Sequence, residues 1–167
     1  MFNIISFQII NVQVMKMFAL DETDRKLLRE LLKDSKRSHR ELARNIGVST
    51  ATVINHIQRL ESAGVITDYT VLLDSERLGY ELTVITEITV SKGRLLEVEQ
   101  EISKIPNVCA VYDITGLTDA MVIAKFKSRR NLSDFTKRLL GMTYVERTNT
   151  HVVLTTMKED YRMLEDM

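Results

Sequence analysis

The sequence predicts an α+β chain of two domains. Three observations carry that prediction. Apolar residues recur at helical spacing in three consecutive segments of the N-terminal third, joined by short turns. In the remaining two thirds, alternating apolar and polar runs are interleaved with two amphipathic segments in the order βαββαβ. The 167 residues, 44% hydrophobic and 28% charged, fall in the ordinary range of folded proteins, which excludes disorder, collagen and a membrane bundle. Two domains of this size each sit near the limit at which a core is stable alone, so self-association is expected. Lys plus Arg and Asp plus Glu both count 23, and a neutral chain has no global field favouring nucleic acid or anionic membrane. Any basic surface must be local. The single cysteine, Cys109, can form no internal bridge and fits a reducing, cytoplasmic setting.

The expected division is an N-terminal extension over 1–17, a helical domain over 18–66, a strand and linker over 67–80, a sheet domain over 81–160 and a tail over 161–167. Residues 1–17 are apolar but too short to span a bilayer, and they lack a signal-peptide layout. Two readings stand. Ile5, Phe7 and Ile9 alternate with polar residues as an added strand would, or translation begins at Met15 or Met17 and the segment is not native.

Asp21 is an N-cap, Glu22 and Asp24 suit a first helical turn, and Leu27, Leu28, Leu31 and Leu32 share a face, which predicts helix one up to about Lys33 to Ser35. Ser38 and Glu41 have capping-box spacing, Leu42, Ala43 and Ile46 point inward, and Gly47 suits a left-handed helix end, so helix two is short. Ser49 caps helix three, whose apolar side is Val53, Ile54, Ile57 and Leu60 and which ends near Ala63 and Gly64. The short connection forces helices two and three to cross steeply, with the small Ala43 at the crossing. This is a helix-turn-helix. The other face of helix three carries Ser49, Thr50, Thr52, Asn55, His56 and Arg59, hydrogen-bonding types not needed for a core and long enough to reach base edges or phosphates. From Lys36 to Arg59 five basic residues (Lys36, Arg37, Arg40, Arg44 and Arg59) face one acid, Glu41. A local basic patch on a neutral chain is the electrostatic footprint of a DNA reader. Arg40, Arg44 and Ser49 are assigned to phosphates, with Thr50, Thr52, Asn55, His56 and Arg59 as candidates for groove contact.

The run from Val65 to Leu73 reads as a strand, either a small wing beside the helices or the lead into the second domain across Asp74-Ser75-Glu76-Arg77. Alternation over Leu82 to Val90 predicts a strand near 81–91. Leu95, Leu96, Val98, Ile102 and Ile105 recur at helical spacing, and this helix must stop before Pro106, because a residue preceding proline is pushed out of the helical region. Strands follow over Val108–Thr115 and Ala120–Phe126, then a helix over Ser128–Leu140 and a strand over Val145–Met157. Two split βαβ units make a four-stranded antiparallel sheet with both helices on one face, a ferredoxin-like αβ-sandwich. The bare face is expected to be covered by a second subunit.

Leu20-Asp21-x-x-Asp24, Glu41-Leu42-Ala43 with Gly47-Val48-Ser49, Val53 with Ile57, Leu60-Glu61-x-x-Gly64-Val65-Ile66, Val108 and Gly116-x-x-Asp119 together resemble the Lrp/AsnC, or feast/famine, family of prokaryotic transcriptional regulators, from about Leu20 to Tyr161. The resemblance implies a helix-turn-helix domain that binds double-stranded DNA, and the symmetry of a dimer then predicts a pseudo-palindromic operator. The resemblance also implies a C-terminal domain that forms dimers and often octamers, and an amino-acid effector at interfaces between dimers. Its effector turn corresponds to Gly116, Leu117, Thr118 and Asp119 here. Two positions depart from the pattern. His56 stands where the family often has arginine, and histidine is shorter and as a side-chain type mostly neutral at physiological pH. Leu117 replaces the first aspartate of a Gly-Asp-x-Asp turn, which removes one partner for a ligand's amino group.

No catalytic, metal or cofactor site is expected. His39, His56 and His151 fall on separate elements, and no phosphate-binding glycine loop or hydrolase elbow occurs,. Cys109 and Met121 are expected in core or interface, and Asp119 is equally a turn residue and a ligand contact. The competing enzyme reading is a sirohaem decarboxylase, which resembles this family in both domains and would give His151 a catalytic or haem-facing place. A third reading is an interaction module that does not bind DNA.

Overall fold

The computed structural model describes residues 18–91 and 93–162. The expectations for residues 1–17, and for most of the tail, lie outside the described residues. The described residues divide into two compact units, 18–71 together with 160–162, and 72–159, so the break after Val71 lies within the segment expected to link two domains.

The first unit is three helices, α1 (Glu22–Lys33), α2 (His39–Ile46) and α3 (Thr50–Ser62). Each begins where a side chain can satisfy the free N–H groups of a first turn. Asp21 and Asp24 form a reciprocal capping box on α1, Ser38 and Glu41 another on α2, and Ser49 accepts from Thr52 N–H on α3. Gly47 ends α2 at φ 78°, and its N–H donates to Ala43 O at 2.9 Å, which turns the chain into α3 within three residues. Leu27, Leu28, Leu42, Ala43, Val53, Ile57 and Leu60 form the buried core. Asp24, fully buried, is the exception. It receives His56 Nδ1 at 2.8 Å and the Arg59 guanidinium, which also reaches Asp21 Oδ2 at 2.7 Å. Two carboxylates of α1 thus clasp two side chains of α3.

The strand expected over Val65 to Leu73 does not form: residues 63–81 contain no strand. Strand periodicity has no effect without a neighbouring strand to complete the ladder, and Val71, Leu72 and Leu73 stand 62%, 75% and 67% exposed. Tyr69 is held by its hydroxyl, which donates to Glu61 Oε1 at 3.0 Å.

The second unit follows the order β1 (Leu82–Val90), α4 (Leu95–Ile102), β2 (Val108–Asp113), β3 (Ala120–Phe126), α5 (Arg129–Leu140) and β4 (Val145–Val152). All pairings are antiparallel and the strand order is β2-β3-β1-β4, the split βαβ arrangement. Val84, Ile88, Val122, Ala124 and Phe126 turn one sheet face to Val98 and Ile102 of α4 and to Phe135 and Leu139 of α5. Phe126 and Phe135 lie 5.1 Å apart. Thr86, fully buried, meets the Thr150 hydroxyl at 3.1 Å and so satisfies its own. The opposite face carries Ile85 and Glu87 of β1, Met121 and Ile123 of β3, Ala110 and Tyr112 of β2, and Asn149 and His151 of β4, as the pairing register dictates.

β2 and β4 are shorter than expected, ending at Asp113 and Val152; both are edge strands, β2 stopping opposite Ala120, where β3 begins, and β4 opposite Val84, near the start of β1. Leu96 is 68% exposed, on the solvent side of α4, and Cys109 is exposed beside a bulge in β2 rather than in the core.

Two outcomes follow for stability. Gly47→Ala meets no neighbour within 4 Å, so its cost is that of an alanine at positive φ, about 1 kcal/mol, measured by chemical denaturation. A backbone N–H bond from Asp24 holds the Asp21 carboxyl below its usual range; burial alone would raise Asp24, but Arg59, His56 and the Asp21 N–H bring it below the usual range; Lys33 and Asn45 lower Glu30, and Ser38 lowers Glu41. Groups depressed on folding stabilise the fold above the ordinary carboxylate range, and that stability is lost as pH falls below about 4. Denaturation midpoints should therefore fall with pH over that range, and D24N should start lower and fall less steeply.

Candidate nucleic-acid interface

The Ser49 cap fixes where α3 begins and therefore which of its side chains look outward. Val53, Ile57 and Leu60 are buried, and at 3.6 residues per turn the side opposite them is centred on Asn55. Thr50 and Asn55 are exposed; Thr52 is half-buried, its hydroxyl 2.8 Å from Ser49 Oγ. On α2, Arg40 and Arg44 are exposed and join no hydrogen bond or ion pair with the described residues. They differ in this from Arg37, whose guanidinium binds Glu30, the acceptor also of Asn45 Nδ2 at 2.8 Å. The basic patch is thus narrower than a count of its charges suggests. Three of the five, Lys36, Arg40 and Arg44, can meet phosphates at once, while Arg37 and Arg59 are already balanced within the unit.

His56 and Arg59 lie on the flank of α3 that faces α1 rather than at the centre of its outer side. The role of Asp21 and Asp24 in holding them there is not legible from local pattern, which gives Asp21 as an N-cap and Asp24 as a first-turn residue only. A signal existed: His56 and Arg59 are three residues apart on one helix, as Asp21 and Asp24 are at the start of another, so that each pair shares a face. Asp21, Asp24 and His56 also place three ligand-type atoms within 4.8 Å of one another, but the Arg59 guanidinium occupies both carboxylates and supplies the positive charge that an ion would bring.

In the second unit, Gly116, Leu117, Thr118 and Asp119 form the turn between β2 and β3. Gly116 takes φ 135°, and Leu117 is fully exposed. Asp119 ties the turn to β1: its N–H donates to Ile88 O at 2.9 Å, and its Oδ2 accepts from Val90 N–H at 2.8 Å, where the β1–β4 register shifts between Thr89 and Val90. One carboxylate oxygen therefore serves the fold. His151 lies on the open sheet face, Nε2 3.0 Å from Asn149 Nδ2 and 3.7 Å from Glu87 Oε2.

Comparison with known proteins agrees with both units. Residues 20–67 match the family model for winged helix-turn-helix DNA-binding, and residues 83–163 that for the Lrp/AsnC ligand binding domain. An uncharacterized HTH-type transcriptional regulator of Pyrococcus horikoshii is 46% identical over 144 residues, covering 86% of this chain and 97% of its own. LrpC of Bacillus subtilis is 33% identical over 136 residues, covering 81% and 92%. Among solved structures, B. subtilis LrpC superposes with a TM-score of 0.76 at 31% identity, over 86% of this chain and all of its own. The L-Met complex of the transcriptional regulator NMB0573 from Neisseria meningitidis gives 0.80 at 26%, covering 87% and 96%. A feast or famine regulatory protein of M. tuberculosis complexed with L-methionine gives 0.78 at 28%, covering 88% and 100%. With a helix-turn-helix and a ligand-binding sheet unit in this order, and relatives that match it over nearly their whole length, the chain belongs to the Lrp/AsnC family of DNA-binding transcriptional regulators.

Proposed function

We propose that this regulator reads a pseudo-palindromic duplex site in the cytoplasm as a dimer or higher assembly, with α3 in the major groove. Asn55 faces the base edges from the centre of the outer side, Thr50 approaches them from the exposed first turn, Thr52 lies toward the His56 flank, and Ser49, Arg40 and Arg44 set the helix against phosphates. The observation that carries this reading is the pairing of a capped helix, whose exposed centre is Asn55, with two exposed arginines that make no hydrogen bond or ion pair with the described residues. Self-association is assigned to the open sheet face around Ile85, Met121, Ile123 and Tyr112, a half-apolar surface on a small unit. An amino-acid effector is assigned by analogy with the two relatives bound to L-methionine, and its place at the Gly116–Asp119 turn by the resemblance of that turn to the family's effector turn. Leu117 supplies no carboxylate there, so the specificity should differ from that of a Gly-Asp-x-Asp turn.

Neutralising one phosphate-binding arginine weakens binding on every sequence and lowers the slope of log affinity against log salt by about one unit per half-site. R40A and R44A should each show this loss in a salt titration of duplex binding, whereas R59A should chiefly lower thermal stability, because it strands a buried carboxylate. Unchanged slopes in R40A and R44A would contradict the assignment. For assembly, Ile123→Glu places a charge in the middle of the open sheet face. The wild type should sediment as a dimer or larger and I123E as a folded monomer.

A further inference from the structure

The carboxylate that holds His56 also dictates what the rest of its ring can do. Nδ1 lies 2.8 Å from Asp24 Oδ1. An ionised carboxylate only accepts, so Nδ1 carries its hydrogen whether the ring is neutral or charged. In the neutral ring Nε2 is therefore a lone-pair acceptor, and no described side chain meets it. A proton taken from solvent turns that one atom into a donor. The charged groups facing the ring are Asp24, Asp21, whose Oδ1 lies 3.9 Å from Nδ1, and Arg59, which binds both carboxylates. With a neutral imidazole this group of four carries one excess negative charge; with an imidazolium it is balanced. Protonation thus removes a repulsion and adds a donor at the same place, on the flank of α3 where a helix in the major groove meets the backbone.

We infer that His56 is a protonation-gated contact to a DNA phosphate: the imidazolium Nε2–H donates to a phosphate oxygen, and the neutral ring turns a lone pair toward it. The inference rests on the placement of α3 in the groove. It is tested by fluorescence anisotropy with a mixed-sequence duplex of about 40 base pairs, since a phosphate contact needs no particular sequence. Affinity and salt slope are measured between about pH 8 and pH 6, the range over which histidines ordinarily change charge. On acidification the wild type should gain about tenfold more affinity than H56Q, the scale of one hydrogen bond to a charged group. Its salt slope should steepen by about one unit per bound subunit. H56R, charged throughout, should show the steeper slope already at about pH 8. A purely structural role for His56 would leave the salt slopes unmoved. Identical pH profiles and slopes in wild type and H56Q, or an H56R slope that follows H56Q, would overturn the inference. A folded wild type that binds the duplex at no pH would overturn the placement of α3 itself.

Discussion

A carboxylate with no access to water is tolerated only when its charge is met and its lone pairs are used. Asp24 satisfies that condition through groups that come from three places: the Asp21 N–H at the start of its own helix, and the His56 ring and Arg59 guanidinium of α3. The apolar core is compatible with small rotations of α3 about its axis, since Val53, Ile57 and Leu60 are all aliphatic. The buried ion cluster is not, because its geometry is directional. It therefore fixes the roll of the helix, and the roll decides that Asn55 stands at the centre of the outer face while His56 and Arg59 stand at its edge. The specificity of the outer surface thus depends on a contact made on the inside.

The sheet unit answers a different demand. Its helices cover one face and leave the other with a mixed character, apolar at Ile85, Ile123 and Met121 and polar at Glu87, Asn149 and His151. Such a surface suits association better than solvation, and a twofold-symmetric assembly would offer two copies of α3 to a duplex. The Gly116–Asp119 turn sits at the end of this sheet, and Asp119 is bonded to the last residues of β1. A ligand that engaged its remaining oxygen would act directly on the sheet end, a short path from effector to assembly.

Much of the fold was legible because the local signals are strong and agree with one another. The Ser38/Glu41 box, Gly47 and the Ser49 cap place α2 and α3 within a residue of their observed bounds, and β-branched alternation locates β1 and β3 because both are central strands with one fully buried face. The edges were less legible. The alternation from Val65 to Leu73 and the far end of β4 look like strands, yet pairing depends on a neighbour that periodicity does not reveal. At the site, exposure of the α3 face followed from the apolar pattern, but the engagement of His56 and Arg59 by the acids of α1 did not. It depends on α1 crossing close to α3 with acids at its first turn, a tertiary fact joining residues about thirty-five positions apart.

Base reading by α3 in a symmetric assembly is tested most directly by selection of bound DNA from a random duplex pool by the purified protein at near-physiological salt. It predicts enrichment of one pseudo-palindrome whose half-sites lie about one helical turn apart, or a multiple of it. Recovery of an unenriched pool by folded protein, or of a site without symmetry, would contradict it.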